Sequence, residues 1–553
     1  MAEFLSPGVF VEELDASAIA PTVSTSVGVF AGNFVKGPSG DFRLITSVAE
    51  LIDVYGKPTN DNYNEWYQAY NFLQYGNKLY VARAVDALSL NGVAELPISG
   101  GVATTDVELD TDQPSIGSLL QWEEQESGLA ASGVDAKLKF VARNQGSWIN
   151  NVEIAVATSS SFGTGTEAFT GIELDGLFEY VPGTNELAIA IKSGDLVAET
   201  FIVSLSPGAK DINGKSAYVE EVINNNSQFV FVKDVNTADL TVEEALGANA
   251  VIFTNGTDAE IQADDLADAY GLFDNKEFID IDIVIGNEID AGVSAKNLVD
   301  ARKDCIGFIG VEYADVVGKK ASDAVANLVT WRKTGNGNIN SMFLVACGNY
   351  KYQYDRYNDK NRWINIAGDV AGLRAATSTN RAAWWASAGL ERGQIKNVRK
   401  LAFNPSQGQR DVLYKNAVNP ICTFPGQGTV MWGQKTLLDK PSSFDRVNVR
   451  GLFNTLERSL SKMAKYQVME FNDNFTRNRI VSMIKPFLSS VQAGRGIQDF
   501  LVVCDETNNT ADVISRNQLV VDVFIKPTYV AEFIHLKFTN AGTNSFAEVV
   551  GGQ

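Results

Sequence analysis

The stretch IDIDIVIGNEIDAGVSAKNLVDARKDCIGFIGV, residues 279–311, decides the fold. It begins with the apolar, β-branched run Ile279–Ile285 and closes with a second, Ile306–Val311, both of strand length. Between them Ser294–Asp304 has helical spacing. The alternation continues on either side, with strands expected at Val251–Phe253 and Met342–Cys347 and helices near Ala263–Phe273 and Ala321–Arg332. Strands that alternate with helices imply a mostly parallel sheet with helical cover, here an α/β domain over residues 251–370. In α/β enzymes ligands sit at the carboxyl ends of such strands. Here those ends read Gly286-Asn287 and Gly310-Val-Glu-Tyr313, without a phosphate fingerprint, so the unit reads as scaffold.

Upstream the texture differs. Residues 89–250 are acidic and rich in Gly, Ser and Thr. Short alternating runs at Val134–Val141, Val152–Val156, Leu187–Ile191 and Phe229–Val232 predict a β-rich insertion of one or two small units. Residues 21–88 look globular, with a buried strand type at Val27–Ala31, a helix capped by Ser47 and running to about Tyr55, and a turn into a strand over Gly76–Arg83. Residues 1–20 read as an arm: Pro7-Gly8 turns, Val9-Phe10-Val11 is β-prone, and so short a segment cannot bury itself. The tyrosines Tyr350, Tyr352, Tyr354 and Tyr357 suit a core and a subunit contact equally.

Charge is divided unevenly in a chain of net charge −21. Residues 371–500 hold 19 Lys/Arg against 8 Asp/Glu, so one region is built for an acidic partner. Within it, Arg446–Lys465 reads as an amphipathic helix. Val449, Leu452, Phe453, Leu456, Leu460 and Met463 share one side, and Arg450, Arg458, Lys462 and Lys465 cluster opposite. A second helix is expected from the N-cap Asp473 through Val491, kinked at Pro486 and ended by Gly494-Arg-Gly496. Three β-prone runs follow: Phe500–Cys504, the alternating Leu519, Val521, Val523 and Ile525, and Phe533–Phe538, which lies past Lys526-Pro527 and suits a second arm.

Catalytic chemistry is scarce. The single histidine, His535, alternates with Ile534, Leu536 and Phe538 and reads as the less buried face of a late strand, not as the centre of a metal site or triad. Gly214-Lys215-Ser216 has the end of a phosphate loop but Ala209 where its first glycine belongs; Gly426-Gln-Gly428 lacks a third glycine. Both read as turns. Cys305, Cys347, Cys422 and Cys504 are far apart and read as buried free thiols. A pI near 4.6 argues against sequence-independent nucleic-acid binding. The N-terminal residues lack the basic and apolar regions of a signal peptide, and no apolar run reaches membrane-spanning length.

Several pieces, in order along the chain, carry a family resemblance. They are Leu5-Ser-Pro-Gly-Val-Phe-Val-Glu-Glu13, Phe42–Leu51 with Tyr55-Gly56, Gly76–Arg83, and Arg143-Asn-Gln-Gly-Ser-Trp148 with Asn151. Asn419–Gly426 with Trp432-Gly433, Ser442–Arg450 and Ile525–Ile534 complete the set. The chain resembles the tail sheath proteins of contractile-tailed bacteriophages of the T4-like type, most closely over residues 1–88 and 375–540 and least over 89–250.

The resemblance implies a multidomain α+β and α/β chain: an α+β core built from both chain ends, an α/β middle domain, a β-rich insertion and extended terminal arms. The expected divisions are 1–20 N-terminal arm, 21–88 first part of the core, 89–250 outer insertion, 251–370 α/β domain, 371–525 C-terminal core with the basic helix, and 526–553 C-terminal arm. It implies a structural role without enzymatic activity or cofactor, in a late virion protein made in the host cytoplasm. Copies stack as hexameric rings in a metastable helical sleeve that contracts and drives a tube through the host envelope for genome ejection. Expected partners are copies of the chain, the tail tube protein, and baseplate and tail terminator or neck proteins, with no direct nucleic-acid contact and no membrane. The arms would add strands to neighbouring copies, placing Val9, Phe10, Val11, Phe533, Ile534 and Leu536 on donated strands and Leu519, Val521, Val523 and Ile525 on the acceptor sheet. Arg450, Arg458, Lys462 and Lys465 would face the tube. Rival readings are a sheath of a bacterial contractile injection system, such as a secretion system or a phage-tail-like bacteriocin, an α/β enzyme with a β-rich accessory domain, and a surface adhesin, which the absent export signal disfavours.

Overall fold

A computed structural model describes residues 25–97, 122, 136–162, 176–194, 196–211, 213–235, 250–287 and 289–536. It opens with β1 (Gly28–Gly32), β2 (Phe42–Ile45), α1 (Val48–Tyr55), α2 (Tyr63–Leu73) and β3 (Leu79–Arg83). Then come β4 (Val93–Pro97), β5 (Ala136–Ala142), β6 (Val152–Ala157), β7 (Glu186–Ser193), β8 (Leu196–Ser204), α3 (Val219–Asn226), β9 (Val230–Asp234) and β10 (Ala250–Ile252). The middle of the chain forms α4 (Ala263–Gly271), β11 (Ile283–Gly286), α5 (Ile289–Arg302), β12 (Ile306–Gly310), α6 (Tyr313–Val316), α7 (Ala321–Lys333) and β13 (Leu344–Cys347). Next are β14 (Tyr350–Asp355), β15 (Lys360–Asn365), α8 (Ala367–Asn380), β16 (Lys400–Leu401), α9 (Gln407–Lys415), β17 (Val418–Asn419), β18 (Ile421–Phe424) and β19 (Gly428–Met431). Last are α10 (Val447–Lys465), α11 (Asn474–Ala493), β20 (Ile497–Val503), α12 (Ala511–Ser515) and β21 (Asp522–Pro527). The described residues through Ser459 form one compact unit and those from Leu460 another.

The larger unit is built on a seven-stranded sheet of order β17-β13-β12-β11-β1-β3-β2, parallel except where β2 meets β3. Its central strands are apolar on both sides, as a sheet covered on two faces requires. On one face Val29, Val284 and Ile309 meet Leu266 and Tyr270 of α4, Leu298 of α5 and Leu328 of α7. On the other, Phe30, Ile285 and Phe308 meet Leu51 of α1, Trp66 and Phe72 of α2 and Val370 of α8. Helix α1 starts where Ser47 Oγ accepts from the Glu50 N–H at 3.2 Å. Helices α2 and α8 approach closely because Gly368 has no side chain; a Cβ there would lie 2.4 Å from the Gln68 carbonyl oxygen.

This sheet corrects the expected domain plan. Residues 251–370 do not fold as a separate α/β domain, because β1 and β3 of the 21–88 segment fill the sheet beside β11. Local alternation cannot reveal a strand contributed from over 200 residues away. Val251 belongs elsewhere too: β10 pairs antiparallel with β6 in the insertion, with Val251 opposite Ile154. The insertion holds two antiparallel sheets, β4-β5-β9 and β10-β6-β7-β8. They share one core that includes Phe140, Ile154, Ile189 and Val232, together with Ile223 of α3.

Arg83, at the end of β3, ties insertion to sheet. Its guanidinium donates to the Phe34 and Gln145 carbonyls, both at 2.8 Å, and lies 3.7 Å from Asp258. Gly146, at φ +121°, lets the chain pass this point; a Cβ would meet Asp258 Oδ1 at 2.6 Å. The Arg143–Trp148 piece of the family resemblance thus forms the joint.

Helix α10 has the expected apolar face, with Val449, Leu452 and Leu456 buried. Its polar face differs from the expected cationic stripe. Arg450 is buried, donating to Asn454 at 2.6 Å and Glu457 at 2.8 Å, with its guanidinium over the Phe343 ring. Arg458 is buried as well, donating to the Ile281 carbonyl at 3.0 Å and paired with Asp282. Helical periodicity says which residues share a face; it does not say whether protein or water covers it. Lys462 is half-buried and Lys465 exposed.

Burial draws the Arg458 guanidinium down to about 10, so it stays cationic at neutral pH and its pairing matters. Replacing one partner of a buried pair leaves the other uncompensated. Arg458→Gln should therefore lower the stability of the larger unit by about 3–5 kcal/mol, whereas Lys465→Gln should leave its melt unchanged. Circular dichroism melts of both variants check this; superimposable curves would mean that the Arg458 pair contributes nothing.

Candidate assembly site

Among the described residues, the smaller unit contains a sheet of two strands. Helix α11 begins at Asp473, whose carboxylate accepts from the Thr476 N–H at 2.8 Å, and runs through Pro486. Its buried stripe is Ile480, Ile484, Leu488 and Val491. The chain turns at Gly494–Gly496, with Arg495 at φ +64°, into β20. β20 pairs antiparallel with β21, Val502 opposite Val523 and Phe500 opposite Ile525. Among the described residues no third strand joins them. One edge of each strand therefore presents unpaired backbone donors and acceptors, a template for a further strand. Two strands alone are marginally stable in water.

Beside this sheet lies a groove of about 1140 Å³ lined by Met463, Ile480, Ile484, Leu519, Val521 and Val523. Three of the four residues expected on the acceptor sheet thus line one apolar groove; the fourth, Ile525, is half-buried on β21. Leu519 and Val521 precede the strand, which starts at Asp522. Leu501 and Phe524 are exposed on the hairpin.

Past Pro527 the chain extends without regular structure to residue 536. Phe533, Ile534 and Leu536 are 75%, 78% and 74% exposed, and His535 is exposed beside them. The strand expected over Phe533–Phe538 is not formed across residues 533–536, and its last two residues lie outside the described ones. Val9, Phe10 and Val11 also lie outside the described residues.

One feature of this unit escaped the sequence reading. The link between α10 and α11 exposes Tyr466, Val468, Met469 and Phe471, followed by Phe475. A signal existed: Tyr466, Val468 and Met469 fall off the apolar arc set by Leu452, Leu456 and Met463, so they could not continue the buried face.

The described residues give the candidate catalytic features of the sequence other surroundings. None of the described residues form a group of three or more metal-ligating side chains. The four cysteines are buried free thiols, and burial raises Cys305 and Cys347 far above the range of a nucleophile. At the carboxyl end of β12, where an α/β enzyme would hold its ligand, Tyr350 donates to the Val311 carbonyl at 3.0 Å. The Asn365 amide packs so closely that a Cβ on Gly310 would overlap it at 1.8 Å. The crevice is filled by the protein's own side chains. The glycines of 214–216 and 426–428 serve turns, Gly214, Gly426 and Gly428 having positive φ. No helix of the described residues is long and apolar enough to cross a membrane.

Comparison with known proteins identifies the family. Residues 259–437 match the phage tail sheath protein central domain and residues 439–539 the phage tail sheath C-terminal domain. The chain is 31% identical to the tail sheath protein of Enterobacteria phage T4, with 99% of each chain covered. It is 30% identical to that of Vibrio phage KVP40, covering 99% of this chain and all of the other. Among solved structures, the sheath tail protein from Listeria innocua superposes with a TM-score of 0.53 at 10% identity, over 93% of this chain and 97% of that one. The helical sheath of the anti-feeding prophage in its contracted state gives 0.51 at 14% identity, over 96% and 98%. These two likenesses concern the fold. The identity to the phage proteins over their whole length shows the family: this chain belongs to the tail sheath proteins of contractile-tailed bacteriophages.

Proposed function

We propose that the chain polymerises as stacked hexameric rings around a tail tube, in a metastable extended sleeve whose contraction drives the tube through the host envelope. The observation that carries this reading is the unpaired β20–β21 sheet beside an apolar groove, in the same chain as exposed apolar extensions. Terminal arms from neighbouring copies complete that sheet: residues around Val9–Val11 and Phe533–Leu536 add strands, with alternate side chains entering the groove near Val521 and Val523. Each added strand supplies about four backbone hydrogen bonds worth roughly 0.5–1.5 kcal/mol apiece. Repeated over every subunit, such straps hold copies together while other contacts slide. The stroke consumes no nucleotide, which agrees with the filled strand-end crevice.

The tube contact narrows to the exposed end of the basic helix. Lys462 and Lys465 are its tube-facing cations in this reading, since Arg450 and Arg458 are buried. Exposed ion pairs are weak and screened by salt, which suits a contact that must break during contraction. The insertion occupies the outer surface of the sleeve, and baseplate and terminator proteins cap its ends. A bacterial contractile injection device is the second reading, favoured by the fold shared with the anti-feeding prophage sheath.

Removing residues 1–16 should leave the larger unit folded and abolish sleeve formation. Electron microscopy of the truncated protein checks this, and full-length sleeves would contradict it. Replacing residues 89–254 by a short linker, a cut that follows the observed pairing of β10, should give a sleeve of smaller outer diameter. Folded protein that no longer forms rings would assign the insertion a structural role instead.

A further inference from the structure

The three-stranded sheet β15-β14-β16 carries a surface unlike the rest of this acidic chain. Tyr352, Tyr354 and Trp363 share one side of it, Tyr354 exposed and the other two half-buried, with the Tyr352 and Trp363 rings 4.7 Å apart. Cations are seated on these rings: Lys400 lies 4.9 Å from the centre of Tyr352 and 5.4 Å from Trp363, and Arg399 lies 5.2 Å from Tyr354. Arg356 rests 4.9 Å from Tyr357 at the β14–β15 turn. Over residues 350–365 and 396–401, Arg356, Lys360, Lys396, Arg399 and Lys400 are exposed, and Asp359 is the one exposed acid. Aromatic faces hold these charges in place, so little side-chain freedom is lost when an anionic partner binds.

The same chain carries a matching surface elsewhere. Along α4 and the loop after it, Glu260, Asp264, Asp268, Asp274 and Glu277 are exposed against one lysine, Lys276. Phe278, 87% exposed, stands among them. The acidic lobe and the cationic face are built on different elements of the larger unit. Helix α4 packs with α5 on one face of the seven-stranded sheet, whereas β15 packs with α2, which covers the other.

We propose that the acidic lobe of one copy docks on the cationic aromatic face of a second copy, with Phe278 seated among Tyr352, Tyr354 and Trp363. The proposal rests on the polymerising role argued above and names an interface for it apart from the arms. Charge complementarity selects a copy of this chain as the occupant, because both halves of the contact belong to it. Two different patches of one subunit that bind each other make a head-to-tail contact, which propagates into a ring or a helix and does not close as a simple dimer. Fixed cations set the register, and one apolar anchor supplies the packed centre that such interfaces need.

A charge-exchange experiment on the full chain tests this. Arg399→Glu with Lys400→Glu, and separately Asp264→Lys with Asp268→Lys, should each cut the sedimentable assembled fraction at least about tenfold, since like charges then oppose. Mixing the two variants should recover assembly, because the acidic lobe of the first meets the intact cationic face of the second and the lysine-bearing lobe of the second meets the glutamate-bearing face of the first. Combining all four changes in one chain also restores opposite signs and should recover most of the assembly. Circular dichroism spectra matching the unaltered chain show that the variants are folded. The interface is overturned if the first two variants assemble like the unaltered chain, or if the fourfold variant is no better than the worse of them. Normal self-assembly combined with lost co-assembly on tail tubes would also overturn it, reassigning the cationic face to the tube. Failure of the unaltered chain to assemble at all would instead sink the polymerising role itself.

Discussion

A β-sheet of two strands cannot satisfy its own edges. Among the described residues of the smaller unit β20 and β21 pair only with each other, and no segment crosses the apolar groove beside them, which is bounded by Ile480, Ile484, Val521 and Val523. Unpaired strand edges next to apolar surface invite another chain. The larger unit has the opposite character: its seven-stranded sheet is covered by helices on both faces and buries its central strands completely. The fold thus separates a body covered on both faces from a part whose sheet edges are open among the described residues. In the proposed sleeve that separation lets bodies move past one another while strand pairing keeps them joined.

The same body closes the carboxyl end of β12 with its own side chains. The strand ends that hold ligands in related architectures are occupied by Tyr350 and Asn365, which tie β14 and β15 to the carbonyl of Val311. What enzymes leave open as a binding crevice serves here to anchor a hairpin, and that hairpin carries the cationic aromatic surface. Arg83 plays an equivalent part at the insertion. Its buried guanidinium gathers carbonyls from Phe34 and Gln145, so the insertion is held by directional bonds at one joint.

Features set by neighbours in sequence were legible. Ser47 and Asp473 cap helices where short polar side chains precede apolar periodicity, and β11 and β12 form within the runs Ile279–Ile285 and Ile306–Val311. Features set by distant packing were not. Val251 looks like any buried strand residue, and nothing local says that it pairs with Ile154 instead of joining β11. Arg450 and Arg458 fall on the polar side of α10, yet Glu457, the Ile281 carbonyl and Asp282 meet them there, so a face that reads as solvated is internal. At the candidate assembly site, Leu519, Val521 and Val523 share a groove, but that groove also needs Met463 and Ile480 from two helices, and Leu519 and Val521 lie before β21 and not on it.

The central claim is that the β20–β21 sheet is completed by another copy. The most direct test is a cryo-electron microscopy map of the assembled sleeve at a resolution that traces the backbone around β20 and β21. The account predicts at least one additional strand hydrogen-bonded to the hairpin, continuous in density with the terminal arm of a different subunit and with side chains in the groove beside Val521 and Val523. Hairpin edges left open to solvent, or an arm that folds back onto its own subunit, would contradict it.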